Sequence, residues 1–259
     1  MSEAIKNFES YQAKAESGDA TAQFDLGYCY CDGHGVDENK RLAFEWFQKS
    51  AEQGNANAQC MLATCYDFGF GTNRNRILGA EWYKRSAVQG HALAQWRLGV
   101  CYRDGRGVGR NLRLAVEWSH KAQAQGSLPA KKILDELFIE LLNGAGRGNI
   151  PAQKTLIYCY QNGIGVKKSP LLASAWIERV NEAKRRQEQE DDYHPHHTVH
   201  YRAMPQRIKQ GNYWFSVSRR RKVAKAVEFD HAISNALITE SFSFSAHSEL
   251  VENLEGTLC

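Results

Sequence analysis

The sequence predicts an all-α solenoid of helix-turn-helix repeats with a C-terminal extension. Three observations predict it: a pattern that recurs at a fixed period, paired glycines that interrupt it, and apolar residues at helical spacing. The blocks cover residues 19–54, 55–90 and 91–126, and a fourth begins at Asn149. Such self-similarity is typical of repeat architectures. One hairpin cannot bury its apolar face alone, so the hairpins are expected to stack.

The four blocks share anchor residues in register, which leaves little room for chance. Each block opens with Ala-Gln, continues with Leu and Tyr, turns at a Gly-x-Gly pair and closes with Trp. The anchors are Ala22-Gln23, Ala58-Gln59, Ala94-Gln95 and Ala152-Gln153; Leu26, Leu62, Leu98 and Leu156; Tyr30, Tyr66, Tyr102 and Tyr160; Gly33 and Gly35, Gly69 and Gly71, Gly105 and Gly107, Gly163 and Gly165; and Trp46, Trp82, Trp118 and Trp176.

Each block predicts two helices. Ala22, Leu26 and Tyr30 fall on one stripe of a helix, so the first half is an amphipathic helix. The glycines that follow end it, because glycine takes positive φ at little cost. A second helix then runs through Trp46, and Gly54 stands where a left-handed C-cap is expected.

The ends of the array and one interruption are also predicted. Residues 1–18 repeat the pattern of a second helix and are expected to cap the array, which spans residues 19–182. Residues 127–148 contain one clear helix, about Ala130 to Leu142, and are interpreted as a degenerate half-repeat before the last unit, 149–182. Residues 183–259 form the C-terminal extension, which we expect to be partly helical or disordered.

The repeated pattern resembles the Sel1-like repeat family, relatives of the tetratricopeptide repeats. It reads Ala-x-x-x-Leu-Gly-x-x-Tyr-x-x-Gly-x-Gly-Val, followed by an Ala-x-x-Trp helix and a closing glycine. The resemblance covers about residues 4–182. It departs at Ala63 and Ile157, which replace the first glycine, and at Thr72, which replaces the valine. The resemblance implies a right-handed α-solenoid whose first helices line a concave groove, and an adaptor or scaffold role without a named partner.

The groove surface is predicted from helix geometry. With Leu26 in the core, residues 24 and 28 of the first helix point almost directly away from it. The two rows carry Phe24, Cys60, Trp96 and Lys154, and Tyr28, Thr64, Val100 and Tyr158. The flanking positions carry Asp25, Met61, Arg97 and Thr155. Aromatic residues and arginine dominate interface hot spots, so the candidate protein-binding residues are Phe24, Asp25, Tyr28, Met61, Trp96, Arg97 and Tyr158. The alternative is that neighbouring units bury these side chains.

A second candidate surface is a basic edge on the loops between paired helices. Stacking of the second and third units would bring six arginines together. Arginine suits carboxylate and phosphate geometry, so an acidic partner or a nucleic-acid backbone could bind there. The alternative is a solvated charged edge. The six residues are Arg74, Arg76, Arg103, Arg106, Arg110 and Arg113.

Composition and cysteine use limit the remaining classes. The 259 residues carry a net charge of only +4, so charge alone does not favour nucleic acid. No signal-like start and no apolar run of membrane-spanning length is present, so we expect a cytoplasmic protein without membrane insertion. Cys29, Cys65 and Cys101 recur once per repeat, which favours a small buried residue over half a disulfide.

The C-terminal extension contains two further motifs. Four histidines between His194 and His200 allow a metal hypothesis, but their spacing fits no catalytic pattern, so a polar linker is favoured. Tyr213-Trp214-Phe215 precedes the basic run Arg219 to Lys222. This segment suits docking on the open end of the solenoid, and the alternative is binding to single-stranded nucleic acid.

The sequence therefore predicts a binding protein that is not an enzyme and needs no cofactor. No phosphate loop, nucleophile elbow or zinc-helix motif occurs. The favoured function is a scaffold or adaptor that binds a partner protein or peptide in the groove, as a regulator or an immunity-type inhibitor. Anion or nucleic-acid binding through the basic edge and the basic C-terminal run is the alternative, and a metal-dependent enzyme centred on His194 to His200 ranks third. The partner, the pathway and the oligomeric state are not encoded in a recognisable motif.

Overall fold

The computed structural model of the protein describes residues 3–191, and these residues form ten α-helices and no strand. The described residues divide into two compact units, with the boundary between Phe138 and Ile139, and each unit is described by itself. The all-α repeat fold is confirmed. The helices are α1 (Glu3–Glu16), α2 (Ala20–Asp32), α3 (Lys40–Glu52), α4 (Ala56–Phe68), α5 (Arg76–Val88), α6 (Ala92–Asp104), α7 (Leu112–Ala124), α8 (Leu128–Gly146), α9 (Ile150–Asn162) and α10 (Pro170–Asp191).

Side-chain N-caps fix where the helices begin. Asp19 caps α2 and Asn55 caps α4, each by accepting a hydrogen bond from the backbone N–H three residues later. Asn39 does the same for the second helix α3. Such caps satisfy backbone donors that the first turn of a helix leaves without partners. The first helices α2 and α4 end at Gly33 and Gly69, both in the left-handed conformation.

One cap is sensitive to pH. His91 caps α6, and its Nδ1 accepts from the N–H of Ala94 at 3.2 Å, which requires the neutral imidazole. Burial lowers the pKa of His91 below its ordinary value. The stability from this cap is therefore full above the ordinary pKa, near 6.5, and is lost as the pH falls through the lowered folded-state pKa.

We expect His91→Asn to remove this part of the pH dependence, because asparagine caps helices without titrating. Urea unfolding at pH 7.5 and pH 5.0 measures it: the wild type should lose about 1 kcal/mol more than the variant on acidification. Equal losses in the two proteins would show that the cap does not titrate in this range.

The core between helices consists of small residues and a few large ones. Ala43, Ala51 and Leu62 are buried in one cluster together with Phe47. Tyr83 takes the position of Phe47 in the next unit and is also fully buried. Cys29, Cys65 and Cys101, which recur once per repeat in the first helices, are buried and form no disulfide, as predicted. Cys159 occupies the same place in α9 and is also buried.

Buried glutamines join consecutive helices through a recurring pattern that we call the glutamine relay. Gln59 donates from Nε2 to the carbonyl of Ala51 at 3.2 Å, and its Oε1 accepts from Gln89 Nε2 at 2.8 Å. In each of the first three blocks, the first glutamine therefore ties its helix to the preceding helix and to the end of its own unit. The other members are Gln23 with Ala15 and Gln53, Gln95 with Ala87 and Gln125, and Gln153 with Ala145. The Gln23 bond joins α2 to α1 in the way that Gln59 joins α4 to α3.

The last member of the relay lacks its second bond. Gln153 is buried, and its Oε1 has no partner among the described residues. In the other units a glutamine stands 30 residues further along, whereas Ala183 occupies that place here. An unmade hydrogen bond at a buried acceptor is destabilising.

Ala183→Gln should therefore stabilise the protein by about 0.5–1.5 kcal/mol, the usual net contribution of one hydrogen bond. Urea unfolding of the full chain measures the gain. Ala183→Glu is the control, because it has the same length without the N–H donor. Equal effects of the two substitutions would contradict the missing-donor explanation.

The interruption in the array is one long helix. Helix α8 runs over Leu128–Gly146, further at both ends than the predicted span of about Ala130 to Leu142. Ser127 caps it, with Oγ 3.4 Å from the N–H of Ala130, as in a first helix. At its other end Gln153 bonds to Ala145, as it would at the end of a second helix. Helix α8 thus takes the place of a two-helix hairpin, because it begins as a first helix does and ends as a second helix does.

Candidate binding face

The first helices α2, α4 and α6 present side chains to each other, and we call their exposed side the first-helix face. Tyr28 on α2 is 39% exposed, and its hydroxyl donates to Met61 Sδ on α4 at 3.6 Å. Phe24 packs beside Tyr28 with the ring centroids 5.0 Å apart, and both rings rest on Phe47. The buried Phe47 thereby fixes the positions of both aromatic rings.

Trp96 and Arg97 continue this face on α6. The Arg97 guanidinium lies 4.4 Å from the Trp96 ring centroid and 5.7 Å from that of Phe68, at the end of α4. Both residues are half-buried. The indole Nε1 of Trp96 is buried and has no hydrogen-bond partner among the described residues. Thr64 on α4 shares a 3.0 Å hydrogen bond with Tyr83.

Three positions that helix geometry placed on the groove surface are instead buried. Cys60, Val100 and Thr155 have 1%, 9% and 6% of their surface exposed. Cys60 lies in the same cluster as the large Tyr83. A helical wheel built on one helix misses this coverage because each first helix packs against the second helices on both sides of it.

The other predicted residues are placed as follows. Asp25 is half-buried on α2, and burial together with the nearby Asp19 raises its carboxyl pKa. Lys154 is exposed on α9, and Tyr158 is half-buried on the same helix. These two residues belong to the unit that begins at Ile139. Within the compact unit that ends at Phe138, the structure places Tyr28 against Met61 and Trp96 against Arg97.

Sequence reasoning missed two exposed aromatics at the end of α4. Phe68 and Phe70 are 40% and 50% exposed, and their rings stack with centroids 5.7 Å apart. The corresponding residues of the third unit are the polar Asp104 and Arg106. Large apolar residues at positions that are polar in a sibling repeat were the available signal.

The predicted basic edge is partly neutralised by ion pairs within the chain. Arg103 pairs with Asp104 at 2.7 Å and with Glu136 at 2.9 Å, and Arg113 pairs with Glu117 at 3.0 Å. The guanidinium groups of Arg74 and Arg110 donate to the carbonyls of Asp67 and Arg103. Arg76 is exposed, with no ion pair to a described residue. The ion pairs offset part of the positive charge, and the hydrogen bonds to carbonyls leave fewer N–H donors for an external anion.

Arg106 makes the most buried ion pair of this edge. Its Nη2 donates to both carboxylate oxygens of Asp67, at 3.0 and 3.2 Å. The Asp67 side chain is 5% exposed and that of Arg106 is 24% exposed. The pair links the end of α4 to the turn after α6, so it holds the second and third units together.

Within the described part of the chain, few side chains are arranged for metal binding or for thiol chemistry. No group of three or more potential metal-ligating side chains occurs among residues 3–191, and none of the helices there is long and apolar enough to cross a membrane. Burial raises the thiol pKa of Cys60 and Cys65 to about 12, so both thiols stay protonated. The histidines of 194–200 and the aromatic and basic motifs of 213–225 lie outside the described residues.

Comparison with known proteins identifies the repeat. The model of the Sel1 repeat matches residues 20–55, 56–91, 92–127 and 156–179, just over half of the chain, and confirms the resemblance. The stretch that contains α8 falls between the matched segments. No curated protein matches the chain.

Three solved structures are similar to this chain. A protective antigen of uropathogenic Escherichia coli with an SLR fold is 29% identical with a TM-score of 0.50, covering 68% of this chain and 41% of that one. The chain thus spans about two fifths of that structure. A Sel1 repeat protein from Oxalobacter formigenes is 41% identical with a TM-score of 0.45, over 48% of this chain and 93% of that one. Helicobacter pylori cysteine rich protein B is 20% identical with a TM-score of 0.43, over 50% and 96%.

Proposed function

The chain belongs to the Sel1 repeat family, and we propose that it acts as a scaffold or adaptor that binds a partner protein or peptide on the first-helix face. Sel1 repeats generally mediate protein–protein interactions. We further propose a regulatory or inhibitory role for the complex, in the cytoplasm.

One observation carries the proposal: three successive first helices hold two partly exposed pairs, Tyr28 with Met61 and Trp96 with Arg97, and Phe47 supports Tyr28 from beneath. Tyr, Trp and Arg are enriched at interface hot spots, and methionine adapts to irregular apolar surfaces. The support from Phe47 restricts Phe24 and Tyr28 before any partner binds. Preorganised side chains lose less conformational entropy on association.

The test is affinity capture from an extract of the native host, with the tagged full chain as bait. Binding measurements with the purified partner follow. We expect a protein that binds at a fixed stoichiometry and remains bound at high salt. Tyr28→Ala combined with Met61→Ala should weaken binding by about 10-fold or more, the effect of removing a hot-spot contact.

The matched control is Val88→Ala on α5, because Val88 is 68% exposed and lies on a second helix. This variant should bind like the wild type. Capture of nucleic acid or of a mixed acidic population that salt removes would contradict the proposal. So would a partner that binds the two variants equally well.

A further inference from the structure

We propose that Arg97 is the receptor for a carboxylate of the partner, so that the first-helix face selects a peptide segment with an aspartate or glutamate beside an apolar residue. This inference rests on the proposed function, because it names the chemistry of the partner at the same face. It depends on three features: the missing counter-charge of Arg97, its ring contacts, and the apolar side chains around it.

Arg97 lacks the carboxylate partner that two similarly buried arginines in the same compact unit have. Arg103 and Arg106 are each 24% exposed, and each pairs with a carboxylate at 3.0 Å or less. Arg97 is also half-buried, yet no ion pair or hydrogen bond joins it to a described residue. Removing a charge from water without a partner is unfavourable. An incoming carboxylate would therefore complete an interaction that the chain itself leaves open.

The two ring contacts of Arg97 leave its hydrogen-bonding capacity unused. A guanidinium near an aromatic ring gains cation–π attraction, but its N–H donors still need acceptors. Trp96 and Phe68 lie 4.4 and 5.7 Å from the guanidinium carbon, and they restrict where it can move. A restrained guanidinium is suited to a bidentate bond with a carboxylate.

Apolar side chains on either side define the rest of the ligand. Tyr28 and Met61 extend the face toward α2, and the stacked pair Phe68 and Phe70 extends it toward the turn after α4. An apolar residue next to the acidic one would cover one of these pairs. A segment of mixed acidic and apolar character therefore fits better than a purely acidic one, and better than a nucleic-acid backbone.

A phage library of random 12-residue peptides, panned on the full chain, tests the inference. We expect the enriched peptides to share an aspartate or glutamate at one aligned position next to an apolar residue. Replacing that acid by its amide in a synthetic peptide should weaken binding to the wild-type protein by about 10- to 100-fold, the effect of losing a charged hydrogen bond. This readout uses an unaltered protein, so folding does not affect it.

Protein variants then assign the effect to Arg97. In Arg97→Gln, the acidic and amide peptides should bind with equal affinity, while Arg97→Lys should keep part of the difference because it keeps the charge. Arg76→Gln is the control, because Arg76 is an exposed arginine outside the first-helix face. It should preserve the full difference.

The outcomes separate the two proposals. Enriched peptides that lose binding in Tyr28→Ala, but show no acid preference or keep it in Arg97→Gln, would overturn the inference and leave the proposed function intact. Failure of any peptide to distinguish wild type from Tyr28→Ala would overturn both. Loss of the acid preference in Arg76→Gln would move the anion site to the basic edge.

Discussion

Gly107→Ala should destabilise the protein by about 3 kcal/mol or more, the largest effect we expect from a single methyl group. Gly107 lies in the turn after α6 with a φ of 73°. A methyl group there would overlap the carbonyl oxygen of Arg76, at the start of α5. The backbone of one unit thus rests directly on the backbone of the preceding one, and only glycine permits that approach.

The size of the effect follows from two contributions. An L-residue at positive φ costs about 1–2 kcal/mol. The overlap adds more, because the obstacle is a backbone carbonyl and not the end of a flexible side chain, so two units must move apart. Gly71 makes the same approach to Lys40 in the preceding unit, and Gly71→Ala should behave alike.

Gly90→Ala is the matched control for this prediction. Gly90 has a φ of 95°, but nothing lies within 4 Å of the place where its Cβ would stand. Its substitution should therefore cost only the backbone contribution, about 1–2 kcal/mol. Urea unfolding of the three proteins measures the difference. Equal losses in Gly90→Ala and Gly107→Ala would show that the close approach contributes nothing to stability.

Arg106→Gln should cost about 2–3 kcal/mol, because it leaves the Asp67 carboxylate, which is 5% exposed, without its ion-pair partner. Asp67→Asn should cost less, about 1–2 kcal/mol, since Arg106 is 24% exposed and water screens part of its charge. Because Asp67 is more buried than Arg106, loss of the Arg106 charge should lower the free energy of unfolding more than loss of the Asp67 charge.

A double-mutant cycle measures the coupling between the two residues. The double variant with both substitutions should be less destabilised than the sum of the single ones by about 1 kcal/mol or more, because no unpaired charge then remains. Arg113→Gln is the control, because the Arg113 side chain is 55% exposed and its partner Glu117 lies four residues further along the same helix. It should change stability by no more than about 0.5 kcal/mol. Additive losses for Asp67 and Arg106 would contradict the coupling.

The repeat fold could be predicted because its signals are local and recur. The stripe with Leu26, the left-handed Gly33 and the buried Cys29 all occupy the structural positions that their spacing indicated. The sequence predicts that α8 ends near Leu142, before Gly144 and Gly146, whereas the helix continues to Gly146. Gly144 instead lies inside the helix, where an added Cβ would stand 3.2 Å from the Cβ of Ala152. A glycine that permits close packing and one that ends a helix look the same in a single sequence.

The candidate site could be predicted only in part, because contacts between units decide which side chains are exposed. Cys60 and Tyr28 belong to equivalent-looking rows, yet Cys60 is covered and Tyr28 is not. The pairing of Arg106 with Asp67 spans 39 residues, and no local sequence pattern indicates it. The absence of such a pairing at Arg97 is equally invisible until the neighbouring helices are placed.

The glutamine relay makes the units of the first part of the array interchangeable. The polar groups at the joint after Gln23 are the same as those after Gln59 and Gln95, so a unit of 36 residues can be removed or duplicated there with each donor still facing an acceptor. Only insertions in whole units preserve this match. The array can therefore change its length in discrete steps, and each step changes the number of side chains on the first-helix face.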